Sequence, residues 1–135
     1  MSAAEHFFDT NVLLYLLSAD TAKADRAEEV IAAGGAISVQ VLNEFASVAL
    51  RKLRMSAAEV SEALDPIMAI CTIVPLTLSI HQRGLTLVAR YRFSLYDALI
   101  AAAALDAGCT TLYSEDRQDG QLIGSTLRVN NPFRV

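Results

Sequence analysis

Four carboxylates, Asp9, Glu44, Asp97 and Asp116, are spread across the 135-residue chain, yet each lies where an apolar segment ends or breaks its own pattern. Carboxylates gathered into one place repel one another and raise each other's pKa unless a cation neutralises them. Hard oxygen ligands of this kind suit Mg²⁺ or Mn²⁺. In an α/β fold the carboxyl ends of parallel strands converge on one crevice, so acids dispersed in sequence can meet there. The chemistry this would support is metal-dependent hydrolysis or phosphoryl transfer.

Each acid also has a plain structural role. Asp9 stands between a short apolar segment and Thr10-Asn11, where it would serve as a helix N-cap or turn residue. Glu44 comes three residues after Val41 and four before Val48, which sets a charge on an otherwise apolar helix face. Either it is buried and needs a partner, or it sits at the edge of the stripe and reaches solvent. Ser94-x-x-Asp97 has the form of a capping box opening an apolar helix, a role compatible with metal binding. Asp116 falls in Tyr113-Ser114-Glu115-Asp116-Arg117-Gln118-Asp119-Gly120, where functional and turn-forming residues are mixed and spacing does not select a ligand.

The elements that must position these acids can be read from periodicity. Glu5 to Asp9 reads as a strand, followed by a buried helical stretch from Val12 to Ser18 and a helix from Thr21 to Ala33 that Gly34-Gly35 stops. Ala36 to Val39 reads as a strand and Gln40 to Leu53 as a helix. Ser56-Ala57-Ala58-Glu59 is a capping-box pattern opening a helix that Pro66 is expected to kink. A strand at Thr72 to Val74, a helix from Ser79 to Tyr91, a helix from Ser94 through Ala107, and strands at Thr110 to Tyr113 and Leu127 to Asn130 complete the pattern. Alternation of this kind predicts an α/β protein with a parallel sheet and helices on both faces. No linker, repeat or low-complexity tract interrupts it, so residues 1–135 are expected to form one domain.

Composition narrows the function. Hydrophobic residues make up 53% of the chain, enough for a core without disulfides. The mean hydropathy of +0.37 is high, but the longest apolar run, Ala98 to Leu105, falls far short of the roughly 20 residues a bilayer needs. The surplus is expected to cover a partner surface, a second copy of the chain being the simplest. The first residues, Met1 to His6, carry no basic stretch, so export is not expected and the cytoplasm is. Cys71 and Cys109 have neither metal-site nor redox-motif spacing and read as small buried residues. A net charge of −4 excludes broad nucleic-acid coating but not a nuclease, whose metal-binding acids belong to that count. Cations bunch at Arg51, Lys52 and Arg54 and at Arg90 and Arg92, placements that fit helix carboxyl ends and also fit phosphate contacts.

The run Phe8-Asp9-Thr10-Asn11-Val12-Leu13-Leu14-Tyr15 resembles the opening motif of PIN-domain nucleases, especially the VapC-type toxins of bacterial toxin–antitoxin modules. Ser38 to Phe45, containing Glu44, resembles the second acidic motif of that family. Ser94 to Ala101, containing Asp97, resembles the third, Ser114-Glu115-Asp116 with Asp119 the fourth, and Val129-Asn130-Asn131-Pro132-Phe133 the usual ending. The resemblance implies a three-layer α/β/α fold with a central parallel sheet. It further implies an endoribonuclease dependent on Mg²⁺ or Mn²⁺, an antitoxin protein partner and a homodimer. Asp9, Glu44, Asp97 and Asp116 carry over as the metal-binding, catalytic acids. Thr10, Asn11, Ser114 and Asp119 carry over as hydrogen-bonding neighbours of the metal, water or scissile phosphate. RNA as substrate comes from the resemblance, because hydrolysis by metal-activated water needs no 2′-hydroxyl.

Other functions would use the same residues differently. A magnesium-dependent phosphatase of doubly wound fold also places acids at strand ends, but Asp9-Thr10-Asn11 lacks a second Asp two positions on. A phospho-accepting module would call for a lysine at a late strand end, which Tyr113-Ser114-Glu115 does not offer. A non-catalytic interaction domain would use the four acids as caps and loop residues only.

Overall fold

The computed structural model describes residues 5–134. Met1 to Ala4, part of the stretch read as carrying no export signal, lie outside them. The chain alternates in the expected way: β1 (His6–Phe8), α1 (Thr10–Leu14) running into a 3-10 turn (Tyr15–Leu17), α2 (Thr21–Ala32), β2 (Gly35–Ser38), α3 (Val39–Arg51), α4 (Ala57–Ile70), β3 (Cys71–Val74), α5 (Leu78–Tyr91), α6 (Leu95–Asp106), β4 (Thr111–Tyr113), β5 (Leu122–Ile123) and β6 (Leu127–Asn130). Helices α2 to α6 all begin with one device. Asp20, Ser38, Ser56, Thr77 and Ser94 each accept a hydrogen bond from the backbone N–H three residues on, satisfying a donor the first helical turn leaves free. At Ser56 the reciprocal bond from the Ser56 N–H to Glu59 completes the capping box.

The sheet has the order β3-β2-β1-β4-β6-β5. All neighbours pair in parallel except β5, which runs antiparallel to β6 at the edge. Sequence steps outward from β1 through β2 to β3, then returns to the other flank of β1 at β4. Right-handed crossovers place the helices of the outward steps on one face and the returning α5 and α6 on the other, giving three α/β/α layers. The order therefore reverses between β1 and β4, where an open α/β sheet leaves its crevice. The two-residue β5 was not anticipated, since so short a segment carries no alternation. α4 runs unbroken from Ala57 to Ile70 through Pro66, which is exposed.

α6 is the most deeply buried helix. Every residue from Ala98 to Ala104 is buried, which is why its sequence shows no amphipathic period. Small side chains let it lie close to its neighbours, and Gly84 of α5 does the same from the facing side, where an added Cβ would come within 2.8 Å of Leu99 Cδ2. Phe7, Phe8, Ile37, Leu112 and Val129 fill the core from the strands. Cys71 and Cys109 are buried free thiols that burial pushes up to about 11, leaving them unreactive.

Gly35 opens β2 where β1 passes closest. A Cβ there would meet the carbonyl oxygen of His6 at 2.6 Å and the Phe8 ring at 2.7 Å. Gly35→Ala is expected to destabilise the fold by about 2 kcal/mol, because backbone rather than a flexible side-chain end must yield. Urea unfolding checks this, and an unchanged midpoint would refute it.

Candidate functional site

The carboxyl ends of β1 and β4 are stitched together by the Asp9 N–H donating to the Tyr113 carbonyl at 2.9 Å. That bond places Asp9 beside the turn after β4. The Asp9 side chain is buried and both its oxygens are engaged. Oδ1 accepts from the Thr10 N–H at 2.8 Å, and Oδ2 accepts from Arg117 Nε at 3.0 Å.

Glu44 projects from α3 toward the same crevice. Thr10 Oγ1 donates to its Oε1 at 3.3 Å, and Gln40 Nε2 donates to its Oε2 at 2.9 Å. The carboxylate is thus half-buried with partners. Burial pushes its pKa above the usual glutamate range, the charges of Asp9 and Asp97 push it further, and the Gln40 and Thr10 bonds pull it back.

Asp97 stands in the first turn of α6, where Ser94 does the capping by accepting from the Asp97 N–H at 3.2 Å. Its carboxylate is half exposed and lies 3.9 Å from Arg117 Nη2. Asp116 is held by Asn11, whose Nδ2 donates to Asp116 Oδ2 at 3.2 Å. Its pKa too is raised, first by burial and then by the charges of Asp9, Glu115 and Asp97. Glu44 and Asp116 therefore both feel the charges of Asp9 and Asp97.

Asn11 organises the turn that carries Asp116. Besides that bond, its Nδ2 donates to Ser114 Oγ at 3.3 Å, and its Oδ1 accepts the Glu115 N–H at 3.1 Å. The buried Ser114 is fixed further by its N–H donating to Asn130 O. Glu115 points away from the crevice and takes hydrogen bonds from the Tyr15 hydroxyl and from Lys23 Nζ. Lys23 rests over the Tyr15 ring, which meets Phe133 edge-on. The pairing lowers the Glu115 pKa and raises that of Lys23.

Asp119 is drawn elsewhere: it accepts from the Asn131 N–H at 2.8 Å and from Arg134 at 3.2 Å, tying the end of the chain to the loop, and it bonds to none of the four acids. A cleft of about 400 Å³ is lined by Thr10, Asn11, Glu44 and Asp116, with Arg51 and the exposed Tyr96 on its walls.

The residue that sequence reasoning missed is Arg117. Its side chain is only 5% exposed although it sits in a polar loop, and it reaches Asp9 and the Asp97 carbonyl from below. A cation within Glu115-Asp116-Arg117-Gln118-Asp119 carries no signal separating it from solvated neighbours. Gln40 and the Tyr15–Glu115–Lys23 anchor were also outside that reading, for the same lack of pattern.

As placed, no three Asp, Glu, His or Cys side chains among the described residues form a ready chelate. The donor set nevertheless has the chemistry a hard divalent cation takes: the carboxylates of Glu44 and Asp116 line one cleft, and both are held above their ordinary range first by burial and then by the charges of Asp9 and Asp97.

The chain belongs to the PIN-domain family, whose family model matches residues 6–120. No curated protein sequence matches it. Among solved structures it is similar to a toxin–antitoxin complex from Klebsiella pneumoniae, at 23% identity over 96% of this chain and 99% of that one, with a TM-score of 0.70. It is also similar to VapC20 of Mycobacterium tuberculosis, a toxin that cleaves the sarcin–ricin loop, at 20% identity over 82% of this chain and 89% of that one, TM-score 0.67. FitAcB from Neisseria gonorrhoeae is similar at 17% identity over 96% and 99% of the two chains, TM-score 0.66. At these identities the structural likeness establishes the shared fold.

The raised pKa values of Glu44 and Asp116 have a consequence for stability. A carboxyl whose pKa is raised by folding contributes fully below its ordinary value, and that contribution is lost as pH rises through the raised value. At neutral pH both groups weigh against the fold. Glu44→Gln is therefore expected to melt at a higher temperature than the wild type at about pH 7, the gap narrowing toward about pH 4. Calorimetry at the two pH values checks this, and coincident melting at neutral pH would count against it.

Proposed function

We propose that residues 1–135 form a single metal-dependent endoribonuclease domain that acts as the toxin of a toxin–antitoxin pair. The observation that carries this reading is that Glu44 and Asp116, on different elements, line one cleft at the point where the strand order reverses, both raised in pKa first by burial and then by the charges of Asp9 and Asp97. Family membership and the likeness to a toxin–antitoxin complex support nuclease chemistry and an antitoxin partner. No described helix is long and apolar enough to cross a membrane.

Asp9, Glu44, Asp97 and Asp116 would hold Mg²⁺ or Mn²⁺. Such an ion, when bound, supplies an activated water and neutralises charge developing on phosphate oxygens. The protein's part is positioning. Thr10 and Gln40 orient Glu44 through its two oxygens, and Asn11 fixes Asp116. Arg51, with Nε turned back to Ser47, lines the cleft and would offer its charge to a phosphate there. Tyr96, 60% exposed beside it, offers a face on which an unpaired base can stack. Single-stranded or looped RNA fits such a cleft, since its bases are free to be splayed out. Hydrolysis by water leaves a 5′-phosphate and a 3′-hydroxyl. A homodimer and a cytoplasmic location complete the reading.

The deciding experiment is cleavage of total cellular RNA by the purified, antitoxin-free chain with Mg²⁺ or Mn²⁺. Discrete fragments are expected from the wild type. EDTA should abolish them, and Asp97→Asn should reduce the rate by at least about a hundredfold while circular dichroism stays that of the wild type. Cleavage that survives EDTA, or an unimpaired Asp97→Asn, would remove the metal mechanism. Arg51→Ala should weaken binding of single-stranded RNA in EDTA and lower the slope of log affinity against log salt by about one. Fluorescence anisotropy across a salt series reads that slope, and an unchanged slope would take Arg51 out of the RNA path.

A further inference from the structure

Arg117 has the features of a residue held in place by the acids rather than by its own needs. Its side chain is 5% exposed and that of Asp9 is 7% exposed, so the 3.0 Å ion pair between them is withdrawn from water. Nη2 donates to the Asp97 carbonyl at 2.6 Å and lies 3.9 Å from the Asp97 carboxylate. The guanidinium thus spans the end of β1 and the first turn of α6, two of the places that carry acids. The guanidinium carbon lies 5.5 Å from the centre of the Phe93 ring. Nη1 is buried without any hydrogen-bond partner, the one such side-chain atom among the described residues. An orphaned donor on a charged group is costly, and folds keep one only where the rest of the group is held firmly.

We propose that Arg117 is a built-in counterion that competes with the divalent cation for Asp9, setting how tightly the site holds its metal. This rests on the metal site proposed above. Asp9 has already given Oδ1 to the Thr10 N–H and Oδ2 to Arg117, so a cation must share or displace the Arg117 bond to use Oδ2. The guanidinium also adds a fixed positive charge beside the ion. Both effects weaken metal binding while sparing the metal-free fold an uncompensated buried carboxylate. Arg117 acts through Asp9 and is a positioning residue. If it were only a brace between β1 and α6, its loss would loosen both acids and weaken metal binding. As a competitor, its loss tightens binding. The two roles differ in sign.

The test is calorimetric titration of Mn²⁺ into the purified full chain as wild type, Arg117→Gln and Arg117→Lys. Arg117→Gln is expected to bind Mn²⁺ at least about tenfold more tightly than wild type, since a unit positive charge has left the neighbourhood of a divalent ion. Arg117→Lys keeps the charge and should stay within about threefold of wild type, although it loses the forked contact and melts lower. A second readout needs no variant: titrating Mg²⁺ into the wild type should shift the Arg117 Nε–H resonance and speed its exchange with water, saturating where calorimetry does. Equal or weaker Mn²⁺ binding by Arg117→Gln, or a resonance indifferent to Mg²⁺, overturns the inference while leaving the metal site standing. Failure of both wild type and Arg117→Gln to bind Mn²⁺ overturns the metal site itself. If Arg117→Gln does not fold, the resonance decides alone.

Discussion

The parallel pairing of β1 with β4 is the constraint on which the acidic crevice depends. It sets Phe8 against Tyr113 and lets the Asp9 N–H extend the ladder by one bond to the Tyr113 carbonyl. Residues more than a hundred positions apart in sequence thereby become neighbours, and Asn11 reaches Ser114, Glu115 and Asp116 with one short side chain. The pairing is slow to form by chain closure, because β2, β3 and six α-helices intervene between the two strands. Once formed, it is sealed by the buried α6, whose alanines let the returning layer settle close to the sheet.

Gathering carboxylates is unfavourable, and the protein offsets the repulsion with specific donors. Asp9 has a backbone N–H and a guanidinium, Glu44 an amide and a hydroxyl, Asp116 an amide. Asp97 is treated differently: it keeps its carboxylate in solvent and contributes its backbone carbonyl to Arg117 instead. The result is graded, with one acid firmly neutralised, two kept at raised pKa and one exposed. Such grading places strain in the site and stability elsewhere, in helix caps and core packing that touch none of the acids.

Much of this arrangement was legible in the amino-acid order. The Ser56-to-Glu59 capping box, the Ser94 cap, the apolar run of α6 and the placement of Asp9 after β1 follow from local rules that tertiary contacts did not override. Glu44 on an apolar face left open a partnered charge or one reaching solvent; it is half-buried, with Gln40, one turn earlier on the same helix, and Thr10 as its partners. Other features escaped. β5 is too short to show a period, and strand order is a matter of long-range pairing. Arg117 escaped because burial of a loop cation depends on what folds over it, which no neighbour in sequence announces. Asp119 looks like a fifth acid of the site in sequence, yet the chain end passes beside it and takes both its oxygens.

The turn bearing Asp116 is clamped on one side by Asn11 and anchored on the other through Glu115 to Lys23 and Tyr15, which in turn meet Phe133. A segment fastened at both flanks has surrendered its conformational freedom before any ligand arrives. The ordering entropy is then a part of folding, not of association, and a ligand meeting Asp116 does not have to arrest a moving loop. Because the anchor ends on Phe133, the geometry of the acidic crevice is mechanically joined to the last turn of the described chain.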